Sequence, residues 1–232
     1  MCNRYTITKS IEELSERFSI ANEEFYRPRF NAAPSHLLPV ITLNKPDQIS
    51  FFHWGVTPEW SKNKSISKKL YTILASEIPK KPSFRKALVQ HRCLVPIDGF
   101  YAWKKISKKG EVPYRFTFPN EDIYSIPALY EEYENDKEEN VSTFTIILRE
   151  ANTILASFDK TMPALFKKEQ EQIWLNTENN EEQLMLLLQN TNSEVLEHYS
   201  VSPEINNIDK DVPSLITPST PADQFGNYSL FN

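Results

Sequence analysis

The sequence has few of the residues that common cofactor and nucleotide sites require. It has only 4 glycines in 232 residues and contains neither GxGxxG nor GxxxxGK[ST], which excludes the two familiar glycine-rich phosphate-binding loops. Its 4 histidines and 2 cysteines are scattered without metal-ligand spacing, so we expect no metal, cofactor or disulfide framework. No apolar run approaches the ~18 residues of a membrane span, and the N-terminus lacks a signal-peptide pattern. We therefore predict a cytoplasmic protein that is not bound to a membrane.

The remaining composition is that of a globular domain with an uneven charge. The chain is 40% hydrophobic and 12% aromatic, which is enough for one sizeable core. Its net charge is −5, but residues 57–110 hold 13 lysines and arginines against 3 acidic residues, which gives +10 and leaves −15 for the rest. Such a segment is typical of a surface that faces a polyanion, and equally of solvated lysine-rich loops.

Periodicity and turn signals predict a strand-rich α+β domain. A capping box at Ser10-Ile11-Glu12-Glu13, followed by an apolar stripe, predicts a helix over residues 11–19. Further helical segments are predicted at 84–90, 151–158 and 181–189, and strands at 37–43, 49–54, 99–103, 113–118, 123–130, 143–148 and 173–175, with a turn at 44–47 and another at Asp98-Gly99. The end of the chain is polar and rich in proline. We therefore expect a domain over 1–212 and a C-terminal tail, 213–232, that packs on it or trails from it.

The residue with the most distinctive chemistry is Cys2, directly after the initiator methionine. Removal of Met1 gives Cys2 a free α-amine and a thiol on adjacent carbons. The amine of such a 1,2-aminothiol condenses with an aldehyde to an imine, and the thiol then closes a five-membered thiazolidine. Alternatively, the thiol attacks a carbonyl while the amine acts as its base. The position alone equally fits a small residue in a first strand.

Several sequence blocks, spread over nearly the whole chain, belong together. They are Met1-Cys2-x-Arg4-Tyr5, Phe30-Asn31-x-Ala33-Pro34, Trp54-Gly55-Val56-x-Pro58-x-Trp60, Lys81-Pro82-Ser83-Phe84-Arg85, Arg92-Cys93-Leu94-Val95-Pro96-x-Asp98-Gly99-Phe100-Tyr101-x-Trp103, Glu150-Ala151-Asn152, Met162-Pro163 and Val201-Ser202-x-x-Ile205-Asn206. In this order they resemble the SRAP (SOS-response-associated peptidase) family, whose members join covalently to abasic sites in single-stranded DNA. The resemblance implies one domain with a mainly antiparallel, barrel-like β core flanked by short helices. It also implies single-stranded DNA with abasic sites as the partner, and we expect a monomer.

The resemblance also shows that several family site positions are substituted here. In the family the initiator methionine is removed, which exposes the cysteine, and a glycine follows this cysteine. This chain has Cys2 at the cysteine position and Asn3 at the glycine position. The other family groups are an asparagine, a phosphate-binding arginine, a glutamate, a histidine and a second arginine, which correspond here to Ile73, Ala75, Ala102, Asp159 and Thr161. The expected catalytic residues are therefore Cys2 and Asp159, which stands at the histidine position.

These substitutions weaken the expected chemistry without excluding it. Thiazolidine closure needs proton transfers, and a positioned acid or base contributes ~10²–10⁴-fold to such steps. Ala102 cannot transfer a proton, whereas Asp159 can act if burial raises its pKa. The α-amine, with a reference pKa of ~7.7–8.0, is already partly neutral near pH 7.5, so a slower reaction can proceed without help.

Six residues are candidates for binding DNA. Cationic contacts are expected from Arg4, Arg85 and Lys160, and base stacking from Trp60 and Trp103, although core packing is the commoner role of a tryptophan. The sixth, Asn31, is expected in a loop that helps to fix the N-terminus. We assign two other residues, Trp54 and Cys93, to the core.

Three functions remain open at this point. The first is a sensor that forms a covalent crosslink with abasic single-stranded DNA through Cys2. The second is a divergent relative that binds DNA or another partner noncovalently, since several family site residues are replaced. The third is a Cys2-dependent thiol peptidase, self-processing or lyase activity, which lacks an evident histidine partner.

Overall fold

A computed structural model describes residues 2–21, 25–55, 71–134, 140–189 and 196–227. The strands among them are β1 (Tyr5–Ile7), β2 (Arg29–Ala32), β3 (Leu37–Thr42), β4 (Lys45–Trp54), β5 (Thr72–Leu74), β6 (Arg92–Ile97), β7 (Gly99–Lys105), β8 (Glu111–Thr117), β9 (Tyr124–Glu134), β10 (Asn140–Glu150), β11 (Thr161–Pro163) and β12 (Glu197–Ser200). The α-helices are α1 (Ile11–Phe18), α2 (Pro82–Gln90), α3 (Lys168–Trp174) and α4 (Glu181–Gln189). Short 3-10 turns lie at Ala75–Lys80, Pro119–Glu121, Leu155–Ser157, Pro203–Asn206 and Pro213–Ile216.

Five strands close into a small mixed barrel, in the order β10-β4-β3-β6-β9 and back to β10. All neighbours are antiparallel except β10 and β4, which pair in parallel at Thr143 with His53 and at Phe144 with Trp54. The ring centroids of Trp54 and Phe144 lie 6.2 Å apart in nearly parallel planes, so the closing pair of strands is also packed through aromatic side chains. The predicted barrel-like, mainly antiparallel core is confirmed.

A second, antiparallel sheet has the strand order β12-β8-β7-β1-β2. One buried cluster contains side chains from this sheet and from the barrel, so the two share a core within a single domain. Tyr5 of β1 makes the link directly, since its ring centroid lies 5.2 Å from that of Trp54 in β4. Both rings are fully buried. The short N-terminal strand thus connects the second sheet to the barrel through its side chains.

A buried carboxylate, Asp98, ties the second sheet together at the single residue between β6 and β7. It accepts hydrogen bonds from the hydroxyls of Thr6 and Thr8 and, at 2.6 Å, from the backbone N–H of Thr8. Its Oδ1 also lies 3.2 Å from Nη2 of Arg115, which is almost equally buried. Arg115 then donates to the hydroxyl of Tyr199 at 2.9 Å. The network therefore joins β1, β7, β8 and β12.

The close approach of β1 to β7 explains the glycine that follows Asp98. A Cβ atom at Gly99 would lie 2.7 Å from the carbonyl oxygen of Phe116 and 3.0 Å from the hydroxyl of Thr6. Any side chain larger than that of glycine would push β8 and β1 away from β7 at this position. The sequence predicted only a turn at Asp98-Gly99, and the structure adds a buried hydrogen-bonding centre to it.

A buried guanidinium joins two helices to the barrel. Arg92 donates to the carbonyls of Leu88 and Val89 at the end of α2, at 2.8 and 2.7 Å. It also donates to the carbonyls of Trp174 and Asn176 at the end of α3, at 2.6 and 2.9 Å. Burial lowers the pKa of Arg92 to about 10. One cation thus satisfies the final carbonyl groups of both helices.

Several local predictions are confirmed. The capping box at Ser10 is formed and begins α1 at Ile11. Helices α2 and α4 lie where helices were predicted, within two residues at each end. Both core assignments hold, because Trp54 and Cys93 are fully buried.

Three local predictions are wrong. Residues 173–175, predicted as a strand, contain the end of α3, and Trp174 is buried in the core. At the start of this helix the Gln170 side chain accepts a hydrogen bond from the N–H of Lys167. The helix predicted over 151–158 is only the 3-10 turn Leu155–Ser157, which Asn152 caps through a 2.9 Å bond to the N–H of Leu155. The predicted turn 44–47 is shorter, since β4 already begins at Lys45.

Residues 213–227 pack against the body of the domain. Leu215 is fully buried, and the hydroxyl of Ser200 donates to the carbonyl of Ser219 at 2.6 Å. Val201 and Pro218 form an isolated antiparallel bridge. The boundary predicted at residue 212 stays a prediction. Within the described ranges, no helix has the length and apolar character needed to cross a membrane.

Asp98→Asn tests the importance of the buried network. The amide would place an N–H₂ group against donors of Thr6 or Thr8 and would leave Arg115 without its carboxylate. We expect a loss of about 3–5 kcal/mol in the free energy of unfolding, measured by urea titration. Asp122→Asn, which changes an exposed carboxylate in the same way, is the control. Equal midpoints for the two variants would show that the network adds little.

Candidate functional site

The N-terminal residues run beside β7 and continue the direction of β1. The backbone N–H of Tyr101 donates to the carbonyl of Arg4 at 3.1 Å, and Tyr5 pairs with Phe100. Cys2 is only 4% exposed, and its Sγ lies 3.8 Å from the carbonyl oxygen of Arg4. The Asp98 network anchors β1, so it also fixes the start of the chain against β7.

A pocket of about 300 Å³ opens at Cys2, and we call it the Cys2 pocket. Residues 2–4, residues 100–103 of β7 and parts of the 155–163 segment form most of its wall, and Asn206 closes one side. It therefore brings together the N-terminus, the second sheet and the turn that leads into β11. Both predicted catalytic residues, Cys2 and Asp159, lie in this wall.

Burial controls the chemistry of the Cys2 thiol in the chain that still carries Met1. It raises the pKa of this thiol to about 12, because a thiolate would lose its hydration inside the protein. The thiol is therefore neutral at physiological pH and needs a proton acceptor to react as a nucleophile. The second cysteine, Cys93, is fully buried in the barrel, and burial raises the pKa of its thiol as well.

Asp159 is held by its own turn. Its Oδ1 accepts from the backbone N–H of Thr161 at 3.1 Å and from the Thr161 hydroxyl at 3.3 Å. The N–H groups of Phe158 and Asp159 both donate to the carbonyl of Leu155, at 2.8 and 2.9 Å, which joins Asp159 to the preceding 3-10 turn. The carboxylate is half-buried. These bonds fix the carboxylate at the wall of the Cys2 pocket.

The substituted family positions fall into this region. Ala102 and Thr161 line the Cys2 pocket together with Asp159. Ala75 lines a neighbouring groove of about 810 Å³, which shares Thr161 with the pocket. Ile73 is 4% exposed in β5 and packs in the core. Four of the five positions predicted to be substituted therefore line the pocket or the neighbouring groove, and the fifth lies in the core.

A partly buried cation lies at the Cys2 pocket. Nη1 of Arg4 donates to the carbonyl of Asn3 at 2.8 Å, and burial lowers the pKa of its guanidinium. Two buried polar atoms in this wall, Nε of Arg4 and Oδ1 of Asn3, have no hydrogen-bond partner among the described residues. Nε of Arg4 is a donor and Oδ1 of Asn3 is an acceptor, so each leaves hydrogen-bonding capacity unused beside the pocket.

The predicted stacking residue Trp103 also lines the pocket. Its indole Nε1 donates to Oδ1 of Asn206 at 3.0 Å, and the residue is half-buried. The bond fixes the orientation of the ring at the pocket wall. Lys160 is exposed and lies in the wall of the neighbouring groove. The remaining stacking candidate, Trp60, lies outside the described residues, as do Met1 and the lysines between 62 and 69.

Two of the predicted DNA-binding residues lie elsewhere. Asn31 is in strand β2, not in the expected loop, and its buried amide donates to the carbonyls of Ile205, Asn207 and Lys210 at 3.3, 2.9 and 2.9 Å. It thus holds the segment that carries Asn206. Arg85 is exposed and forms a bidentate ion pair with Glu181, at 2.8 and 3.0 Å. DNA contacts by these two residues stay predictions, and neither residue lines the pocket.

Sequence reasoning missed other residues of the pocket wall. Lys105 and Glu111 face each other in the register of β7 and β8, and Phe158 precedes Asp159. These residues are far from Cys2 along the chain, so the sequence does not show that they share a pocket wall with it. Within the described ranges no group of three histidine, cysteine or acidic side chains could hold a metal ion.

Comparisons with known proteins agree with this geometry. The family model for the SOS response associated peptidase (SRAP) matches residues 1–208. Abasic site processing protein YoqW of Bacillus subtilis is 32% identical over 221 residues, which covers 93% of this chain and 99% of YoqW. Abasic site processing protein HMCES of Rattus norvegicus is 24% identical and covers 84% of this chain and 66% of HMCES.

A solved structure shares the fold. A crystal structure of a protein from Bacteroides thetaiotaomicron superposes with a TM-score of 0.82 at 23% identity and covers 94% of this chain and all of that one. The sequence blocks and the Cys2 pocket are thus found on the architecture that the resemblance implied. The chain belongs to the SRAP family.

Proposed function

We propose that this protein processes abasic sites in single-stranded DNA by forming a thiazolidine crosslink through Cys2, once Met1 has been removed. One observation carries the proposal. The structure places Cys2, Asp159 and Arg4 in the wall of a single pocket, although Asp159 is far from the other two along the chain. The names of the relatives, abasic site processing proteins, support the same substrate.

The reaction begins at the α-amine of Cys2. The ring-opened sugar of an abasic site carries an aldehyde, and the amine adds to its carbon to give a carbinolamine. Loss of one water molecule gives the imine. The Sγ atom then adds to the imine carbon while the thiol proton goes to nitrogen, which closes the five-membered ring. The product contains both reactants less one water.

Asp159 is the proposed proton carrier. As a carboxylate it accepts the proton that the amine loses on attack, and it returns this proton to the carbinolamine hydroxyl, which leaves as water. It can then carry the thiol proton to nitrogen as Sγ adds to the imine carbon. The Thr161 bonds hold one oxygen of the carboxylate in place for these steps.

Arg4 and Lys160 are the proposed phosphate contacts, and Trp103 is the proposed stacking partner of a base. The guanidinium of Arg4 lies at the pocket beside Cys2, so it can bind the phosphate next to the abasic sugar. Lys160 lies in the neighbouring groove, where it replaces part of the charge lost at Ala75 and Thr161. Loss of two family arginines predicts weaker DNA binding than in family members that keep them.

Noncovalent DNA binding is the second candidate function. It is favoured by Ala102, which lines the pocket but cannot transfer protons, and by the missing arginines at positions 75 and 161. A thiol peptidase or lyase has less support. The described pocket wall contains no histidine, and burial disfavours the thiolate that a peptidase needs.

Cys2→Ala tests the covalent step. Mature wild-type protein is incubated with a single-stranded oligonucleotide that carries one abasic site, and a heat-stable adduct is sought on a denaturing gel. We expect an adduct with the wild type and none with Cys2→Ala. Cys93→Ala, which removes the only other thiol, is the control and should keep the adduct. No wild-type adduct, with DNA affinity unchanged by Cys2→Ala, would favour the noncovalent function.

Asp159→Asn tests the proton carrier. The amide keeps the size of the side chain but cannot accept and return a proton, so the rate of adduct formation should fall by ~10²-fold. The rate is measured at saturating DNA to separate it from binding. Asp122→Asn, at an exposed site away from the pocket, should leave it unchanged. An Asp159→Asn rate within a factor of two of wild type would remove Asp159 from the mechanism.

A further inference from the structure

A strip of aromatic rings leads from the Cys2 pocket across the second sheet. We define this aromatic strip as Tyr114, Phe158 and His198, together with the buried ring of Phe116. Phe158 packs edge-on against Tyr114 and Phe116, with ring centroids 5.1 and 5.0 Å away. The imidazole of His198 is stacked on Phe116 at 5.1 Å, with only 12° between the planes. The sheet register explains the strip, because Phe116 pairs with His198 and Tyr114 pairs with Ser200.

Exposure increases along the strip. Phe116 is fully buried, Tyr114 and Phe158 are half-buried, and His198 is exposed. His198 also lies 5.6 Å from Phe158 and 5.9 Å from Tyr114, and the part of its ring that these contacts leave exposed is available to a further ring. A flat π surface of this kind suits stacking with an unpaired base, whatever its sequence.

The strip is continuous with the pocket. Phe158 belongs to both, since it lines the Cys2 pocket and directly precedes Asp159. A strand whose abasic sugar lies at Cys2 can therefore continue past Phe158 towards His198. The neighbouring groove, which shares Thr161 with the pocket, leaves it at a different side of the 159–161 turn.

The charge beside the strip is positive. Nζ of Lys104 lies 5.9 Å from the centroid of the Phe158 ring. The β7–β8 hairpin that carries this lysine has four lysines, at 104, 105, 108 and 109, against one acidic residue, Glu111. Glu197 lies on β12 next to His198 and is the opposing charge nearest in sequence. Aromatic rings next to a lysine-rich hairpin match single-stranded nucleic acid, which offers bases and phosphates together.

We propose that this aromatic strip binds the unpaired bases on one side of the abasic site, with His198 as the outermost stacking platform. The inference rests on the proposed function for the identity of the strand, and it adds a second binding region to the Cys2 pocket. It predicts an effect that is confined to one side of the abasic site. Nucleotides on one side of the abasic site contribute to affinity through His198, and nucleotides on the other side do not.

The test compares noncovalent DNA binding by two proteins, one with His198→Ala and one with the wild-type His198. Both carry Cys2→Ala so that no crosslink forms, and fluorescence anisotropy is measured with oligothymidines that hold one abasic site. The strands extend by four thymidines on the 5′ side only, on the 3′ side only, or on both sides. We expect roughly tenfold weaker binding for His198→Ala with strands extended on one particular side, and no change with strands that lack that extension.

Two further variants separate stacking from other effects. His198→Tyr keeps a ring without the imidazole and should retain the affinity. His91→Ala is a matched control, because His91 is also stacked on an aromatic ring, Tyr130 at 5.0 Å, but does not line the Cys2 pocket. Thermal unfolding of each variant checks that the fold is intact.

The outcomes separate this proposal from the proposed function. Equal affinity of His198→Ala and wild type for every strand would overturn the aromatic strip, even if wild-type protein forms the crosslink. Equal loss of affinity for long and short strands would also overturn it, since that result indicates a structural role. A one-sided loss, together with a wild-type protein that forms no crosslink, would support the strip and overturn the covalent function.

Discussion

The ion pair between Asp98 and Arg115 is the interaction on which the site depends. It lies where the barrel strand β6 passes directly into β7, and its hydrogen bonds to Thr6 and Thr8 hold the N-terminal strand against that junction. Cys2 is only four residues before Thr6. A chain terminus is normally mobile, so a reactive first residue needs such an anchor to lie reproducibly in a pocket. Removal of a buried partner from this network therefore affects both stability and the position of the reactive group.

The pocket that results is chemically unusual for a cysteine site. The thiol is buried, and the pocket wall also holds Asp159, whose carboxylate is fixed by Thr161. In the proposed reaction the amine attacks first and the thiol follows, so no free thiolate is needed at the start. A reaction that begins with a free thiolate would need a basic partner beside Cys2. The 1,2-aminothiol of a processed N-terminus thus fits the pocket better than a protease-type nucleophile does.

Local sequence signals predicted much of the fold, and long-range contacts limited the rest. The capping box at Ser10 and the apolar character of Trp54 and Cys93 were sufficient because each depends on nearby residues or on burial alone. The parallel closure of β10 on β4 could not be predicted, since no local pattern specifies which distant strands pair. The same reason hid Glu111 and the bond from Trp103 to Asn206. Conversely, the family blocks predicted that Cys2 and Asp159 share a site, and both residues line the Cys2 pocket.

The central claim is that the α-amine and the thiol of Cys2 act together, and mass spectrometry of the N-terminal peptide tests it most directly. Protein from its own cell is reacted with abasic single-stranded DNA, digested with nuclease and protease, and treated with an alkylating agent. The account predicts a peptide that begins at Cys2, carries the sugar fragment less one water, and has neither a free amine nor a thiol that can be alkylated. An adduct on a lysine, or on a peptide that still begins with Met1, would contradict it.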